Sequence, residues 1–240
     1  MRTWLYVDGY NFYCSLRQGR SHWPISLGWC NFERLAELYL LQPGDRLEKV
    51  RYFTSPVRTV PAGFAHERNV GEAKRQRVWL TALRTICLPE DIIRGRQQRR
   101  ERKVQGCSTE EKRVYREEKM TDVRLAVELV LDALKPAGYE KAIILTSDQD
   151  MFPAAQAVKS RISAPQVVEF AFSPDSDPEV LRRYCRAHKI RYSYIKPAML
   201  LNSRFPDEFK DPATGQEIVC PPYWKVPQGL AKQFSWARGY

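Results

Sequence analysis

Leu5-Tyr6-Val7-Asp8-Gly9-Tyr10-Asn11 is an apolar run of strand length that ends on a carboxylate, breaks at a glycine and offers a side-chain amide three residues after the carboxylate. As the central strand of a parallel sheet it would place Asp8 at its carboxyl end, the edge where open α/β sheets bind their ligands. The elements that follow fit such a sheet. After a short helical turn from Phe12 to Gln18, Asn31 reads as the N-cap of a helix that Pro43-Gly44 stops. Glu48 to Thr54 then alternates as a strand. A strand, helix, strand order with so short a crossover predicts parallel pairing. A second helix is expected from about Phe64 to Arg84 and a brief strand at Ile92-Ile93, followed by a long helix from Thr121 to Lys135 capped by Thr121 or Asp122. Apolar residues at Val123, Leu125, Ala126, Val127, Leu129, Val130, Leu131 and Leu134 predict that this helix is buried on more than one side. Ala142 to Thr146 and Gln166 to Phe172 read as further strands, and Ile190 to Ile195 as an edge strand. The predicted architecture is α/β, a three-layer α/β/α sandwich with a mainly parallel central sheet. Residues 1–196 would form the domain, and 197–240, rich in proline and aromatics, an extension packed on it.

Composition narrows the function. The 240 residues are 43% hydrophobic and carry 39 Lys+Arg against 28 Asp+Glu, a formal charge of +11, which points to a polyanionic partner. Six cysteines without a C-x-x-C pair give neither a zinc ribbon nor a redox motif, and reduced thiols in a cytoplasmic protein are the simpler expectation. No long apolar run suggests a membrane span. His22, His66 and His188 stand in unrelated contexts, with no serine elbow, zincin spacing or Gly-rich phosphate loop beside them. Between Arg94 and Lys103 lie Arg94, Arg96, Arg99, Arg100, Arg102 and Lys103 with a single acid, Glu101. Such a run is either a solvated face or a loop or hairpin that tracks phosphates.

Carboxylates recur where strands end or helices begin: Asp8, Asp122, and Asp148 with Asp150. Strand ends of an alternating sheet share one edge, so these acids can meet there, where they would repel one another unless a cation bridges them. Oxygen donors of this kind suit Mg²⁺ or Mn²⁺, and such ions activate water for phosphodiester hydrolysis. Each acid also has a plain structural reading, as a turn residue or a helix cap.

Three ordered segments, Val7-Asp8-Gly9-Tyr10-Asn11, Glu118 to Ala126 and Thr146 to Phe152, together resemble the signature of NYN domains, which are PIN-like, metal-dependent ribonucleases. The resemblance spans roughly Arg2 to Lys196. It implies that Asp8, Asp122 and Asp148 are metal-binding acids, with Asp150 completing the cluster or holding a water, and that Asn11 orients Asp8 or contacts a phosphate. Lys119 would contact phosphate, while Arg94, Arg96, Arg99 and Arg100, with Arg51, Arg58 and Arg75, would hold the RNA backbone. Two departures stand out: Glu128 replaces an aspartate common on the family's long helix, and Ser147 replaces a glycine. The implied activity is an endoribonuclease cleaving single-stranded or structured RNA to a 5′-phosphate and a 3′-hydroxyl. A non-catalytic RNA-binding or interaction module that keeps the acidic cleft is the alternative. Self-association is compatible with either, and a toxin or defence role falls within the nuclease reading.

Overall fold

The structure, a computed structural model, describes residues 1–18, 25–57, 67–103, 112–162, 166–174, 176 and 178–227. The side chains of residues 18, 67–70, 97, 99–103, 112–118 and 161 lie outside that description.

The opening stretch forms β1 (Arg2–Asp8) and passes at once into α1 (Gly9–Gln18). A short 3₁₀ turn at Ile25–Gly28 precedes α2 (Phe32–Leu35), which continues as a π turn through Ala36–Leu40. Asn31 caps α2 as expected, its side-chain oxygen accepting the Arg34 N–H at 2.9 Å. Then come β2 (Arg46–Thr54), α3 (Glu67–Leu83) and β3 (Ile92–Arg94). The basic run forms β4 (Arg96–Lys103), which pairs antiparallel with β5 (Lys112–Lys119) as a hairpin apart from the main sheet. Helix α4 (Thr121–Leu134), β6 (Lys141–Leu145), α5 (Phe152–Arg161), β7 (Val167–Phe172), α6 (Glu179–Ala187) and β8 (Arg191–Tyr194) complete the alternation. After them follow α7 (Pro197–Asn202) and a small hairpin of β9 (Glu208–Lys210) and β10 (Glu217–Val219).

The main sheet has six strands in the order β3-β2-β1-β6-β7-β8, every neighbouring pair parallel. From β1 the chain first steps outward through β2 to β3, then returns to β6 on the other side of β1. Because parallel crossovers are right-handed, reversing the direction of travel moves the connecting helices to the opposite face. The two cores follow that rule. One contains Leu5 and Val7 of β1 with side chains of α1, α2 and α3; the other contains Trp4 and Tyr6 with side chains of α4, α5 and α6. Alternate residues of a central strand thus enter opposite cores, which is why β1 and β6 are apolar throughout. The fold is a three-layer α/β/α sandwich with an all-parallel central sheet.

The segment after Lys196 adds Leu200, Phe205, Ile218, Cys220 and Trp224 to the first core. Trp224 stacks on Trp29 at 5.9 Å and meets Trp79 edge-on at 6.0 Å, a cluster that also takes in Phe205.

Helix α4 corrects the sequence reading. Its buried residues, Leu125, Leu129, Asp132 and Ala133, lie on one side, and Val123, Val127, Leu131 and Leu134 are exposed on the other. Neither Thr121 nor Asp122 caps it: the capping position is Met120, which holds a left-handed φ of 76° and makes no side-chain cap.

Candidate functional site

The reversal of strand order falls between β1 and β6, and the register sets Val7 opposite Leu145. One step further along, Asp8 and Thr146 are therefore neighbours. The Thr146 hydroxyl donates to Asp8 Oδ2 at 2.9 Å, and the Asn11 backbone N–H donates to Oδ1 at 2.9 Å. Asp8 is buried, and these bonds fix both of its oxygens. Gly9 is required here by contact rather than by conformation: a Cβ would lie 2.3 Å from the Tyr52 ring and 2.8 Å from the Phe53 carbonyl oxygen.

Asn11 supports Asp8 through its backbone. Its side-chain Oδ1 instead accepts from the Ser147 N–H at 3.1 Å and the Ser173 hydroxyl at 2.5 Å, tying the loops after β6 and β7 to the start of α1. The Ser173 N–H in turn donates to Ser147 Oγ at 2.9 Å, and Ser147 and Ser176 share a 2.6 Å hydroxyl contact. The serine at 147, where the resemblance leads one to expect glycine, is thus built into the loop network. Serines 173 and 176 were missed from sequence because an isolated serine after a strand carries no signal.

Asp148 follows directly. Its N–H donates to Thr146 Oγ1 at 3.1 Å, and its Oδ1 accepts the Asp150 N–H at 2.9 Å, opening the 3₁₀ turn Gln149–Met151. The turn reading of Ser-Asp-Gln-Asp therefore holds as local structure, and one Asp148 oxygen is left over for other work. Asn11, Ser147, Asp148 and Gln149 face Pro178 to Leu181 across a cleft of about 390 Å³.

Asp122 reaches the same edge from the start of α4, a helix that packs beside the 3₁₀ turn. Burial raises its carboxyl above the ordinary range, and the charges of Asp148 and then Asp150 raise it further. The three acids are close enough to repel, and among the described residues no cation pairs with any of them. The donor chemistry fits a hard divalent cation, an all-oxygen set with unbalanced negative charge. Among the described residues, however, no three His, Cys, Asp or Glu side chains converge as a formed metal-binding group.

The predicted substrate-binding residues divide. Arg94 and Arg96 are exposed where β3 passes into the hairpin. Arg99 and Arg100 lie on β4, but their side chains are outside the described ones, as is Arg58 altogether. Gly95 joins the hairpin to α4, since a Cβ there would lie 2.3 Å from Thr121 Oγ1 and 2.9 Å from the Lys119 carbonyl oxygen. The Arg124 guanidinium also donates to the Arg94 carbonyl at 2.9 Å, so the basic hairpin is anchored next to Asp122. Arg75 lies over the Tyr223 ring at 4.5 Å.

Arg51 is a correction. Rather than facing substrate, it is buried between the sheet and α4, where it pairs with Asp132, with Glu128 at 3.0 Å and with Asp91 at 3.2 Å. Asp132 also accepts the Tyr6 hydroxyl at 2.9 Å and the Lys135 ammonium at 2.7 Å. Glu128 is therefore drawn to Arg51, in the structural network.

No family model matches the chain, and no curated protein sequence does. Among solved structures, the chain is similar to a protein of unknown function from Vibrio parahaemolyticus, with a TM-score of 0.48 and 11% identity over 81% of this chain and 93% of that one. Among the described residues, no helix is long and apolar enough to cross a membrane.

Proposed function

We propose that the protein is a metal-dependent endoribonuclease of NYN, PIN-like type, with its site at the edge formed by Asp8, Asp122, Asp148 and Asp150. The observation that carries this reading is the gathering of Asp122 with Asp148 and Asp150 beside the strand-order reversal, with no cation paired to them among the described residues. A structural acid is normally neutralised by a neighbouring cation, whereas acids gathered on a ligand-binding edge without one suit an incoming cation. Mg²⁺ or Mn²⁺ bound there would supply Lewis-acid polarisation of a phosphate and a lowered water pKa. Asp122 and Asp148 would hold the ion, with Asp150 beside them. Asp8, its oxygens fixed by Thr146 and Asn11, would position the inner side of the cluster. Arg94 and Arg96, with Lys119 paired opposite Arg96 at the base of the hairpin, would contact RNA phosphates.

The test uses labelled single-stranded and structured RNA with Mn²⁺ or with EDTA. Cleavage by the wild-type chain should require the metal. Asp148→Asn keeps the turn, because an asparagine oxygen accepts the same N–H, and should lower the cleavage rate by about a hundredfold or more. Asp8→Asn should do the same. Undiminished cleavage by either variant would refute the site. Asp148 already serves as a turn cap, and no metal-binding group converges among the described residues, which favours a second reading: a binding module without turnover. RNA binding that persists in EDTA, without cleavage in either condition, would establish that alternative.

A further inference from the structure

A second basic surface begins where the cleft ends. From the first residue of α6 to the residue before α7 the chain carries Arg182, Arg183, Arg186, Lys189, Arg191 and Lys196 against a single acid, Glu179, with Tyr184, Tyr192 and Tyr194 among them. Arg183 pairs with Glu179 and Arg191 with Glu169. Arg182, Arg186, Lys189 and Lys196 have no ion pair among the described residues. Arg182 and Arg186 stand four residues apart on α6, one step round from buried Leu181 and Cys185, so they share a face of the helix. That face meets β8: the Arg186 Nε–H donates to the Tyr192 hydroxyl at 3.2 Å, and the Arg182 guanidinium lies beside the Tyr194 hydroxyl. Tyr192 and Tyr194 meet edge to face at 5.9 Å, and both pack on Phe172, at 5.0 and 5.2 Å. Tyr194 nevertheless remains 41% exposed.

The sheet register ties this surface to the acidic edge. Val7, Leu145, Ala171 and Ser193 lie in one row across four strands, so Asp8 and Tyr194 end the next row, three strand spacings or about 14 Å apart. Both are in step with residues of the core shared by α4, α5 and α6, Asp8 with Tyr6 and Tyr194 with Phe172, and so stand on the same face of the sheet. Between them lies the cleft, whose wall Pro178 to Leu181 leads directly to Arg182.

We propose that the α6–β8 ledge binds single-stranded RNA as it leaves the acidic edge, with a base stacked on Tyr194 and phosphates held by Arg182 and Arg186. The choice of RNA rests on the ribonuclease reading above, whereas the path rests on the geometry of α6 and β8. A merely solvated basic face presents flexible cations to water. Here two guanidinium groups are braced against tyrosines, and an exposed ring beside them offers the aromatic surface that unpaired bases use. Bases inside a duplex are already stacked and have no free face for such a ring, which selects the single strand.

The test is fluorescence anisotropy in EDTA, which removes metal-dependent turnover, with a labelled oligouridylate of about 12 nucleotides. Arg182→Ala/Arg186→Ala should bind about tenfold more weakly or worse, and the slope of log K against log salt should shrink by about 1.4, the value for two single-strand phosphate contacts. Tyr194→Ala should bind at least about fivefold more weakly with an unchanged salt slope, because it removes stacking and no charge, and Tyr194→Phe should restore the affinity. Circular dichroism spectra matching the wild type establish that the variants fold. Wild-type affinity in both the double arginine variant and Tyr194→Ala overturns the proposal, as does a duplex of equal length bound as tightly as the single strand. A chain that binds through Tyr194 but cleaves nothing in Mn²⁺ would refute the ribonuclease reading and leave the ledge intact. Metal-dependent cleavage with unaltered binding in the variants would overturn the ledge alone.

Discussion

At the carboxyl end of α4, Asp132 and Glu128 are met by the Arg51 guanidinium inside the molecule; at its amino end, Asp122 faces Asp148 and Asp150, and among the described residues no cation pairs with the three. One helix thus carries acids in opposite situations. The inner set is closed: Tyr6, Arg51 and Lys135 all bond to Asp132, and Asp91 takes the far side of Arg51. The outer set is open, set on the edge where strand order reverses and beside exposed Arg94 and Arg96 at the base of the hairpin. The contrast separates acids that hold the fold from acids available for a ligand, although sequence treats all of them as charges on an apolar helix. A third group supports the distinction. At the amino ends of the strands, buried Lys141 contacts Asp45 at 2.5 Å and Glu169 at 3.2 Å, again closing the charge internally.

The largest expected effect breaks the inner set. Arg51→Ala should cost about 3–5 kcal/mol of unfolding free energy, because it removes the buried cation that Asp132, Glu128 and Asp91 share. Urea denaturation measures it, and a loss below about 1 kcal/mol would show that the network is not structural. Tyr6→Phe probes the same set more gently. Asp132 keeps Arg51 and Lys135, so losing one hydroxyl to a charged acceptor should cost about 1.5 kcal/mol, read from the same denaturation curves.

Arg51 also shows where sequence reading stops. Its strand was legible from alternation, and so were the other strands of the sheet and the placing of Asp8 at a strand end, because period and turn residues act locally. Whether an arginine on that strand faces substrate or a buried carboxylate depends on Asp132 and Glu128, roughly eighty residues further along the chain, and on the rotation of α4 against the sheet. The same rotation misled the burial of α4. Eight apolar positions on one helix suggest burial on several sides, and only tertiary packing reveals that Val123, Val127, Leu131 and Leu134 form a separate outer stripe. At the candidate site, the acids were legible as residues at strand ends and helix starts. Their supports were not. Thr146, Ser173 and Ser176 are single hydroxyls whose meaning comes from the register of β1, β6 and β7.

The smallest expected effect is the one that most directly separates the two ends of α4. Asp122→Asn, measured in EDTA at neutral pH, should leave stability within about 0.5 kcal/mol of wild type, with any change toward stabilisation. The physical reason lies in the direction of the Asp122 shift. Burial first, then the charges of Asp148 and Asp150, disfavour its ionised form in the folded protein, so an amide of the same shape removes an unfavourable charge without vacating a needed contact. No capping bond is lost, because the helix start is formed at Met120 without a side-chain cap. An acid of the inner type behaves in the opposite sense, since its removal unbalances a buried cation. A loss of more than about 1 kcal/mol in Asp122→Asn would therefore place Asp122 with Asp132 as a structural acid and remove the main support for a ligand site at this edge.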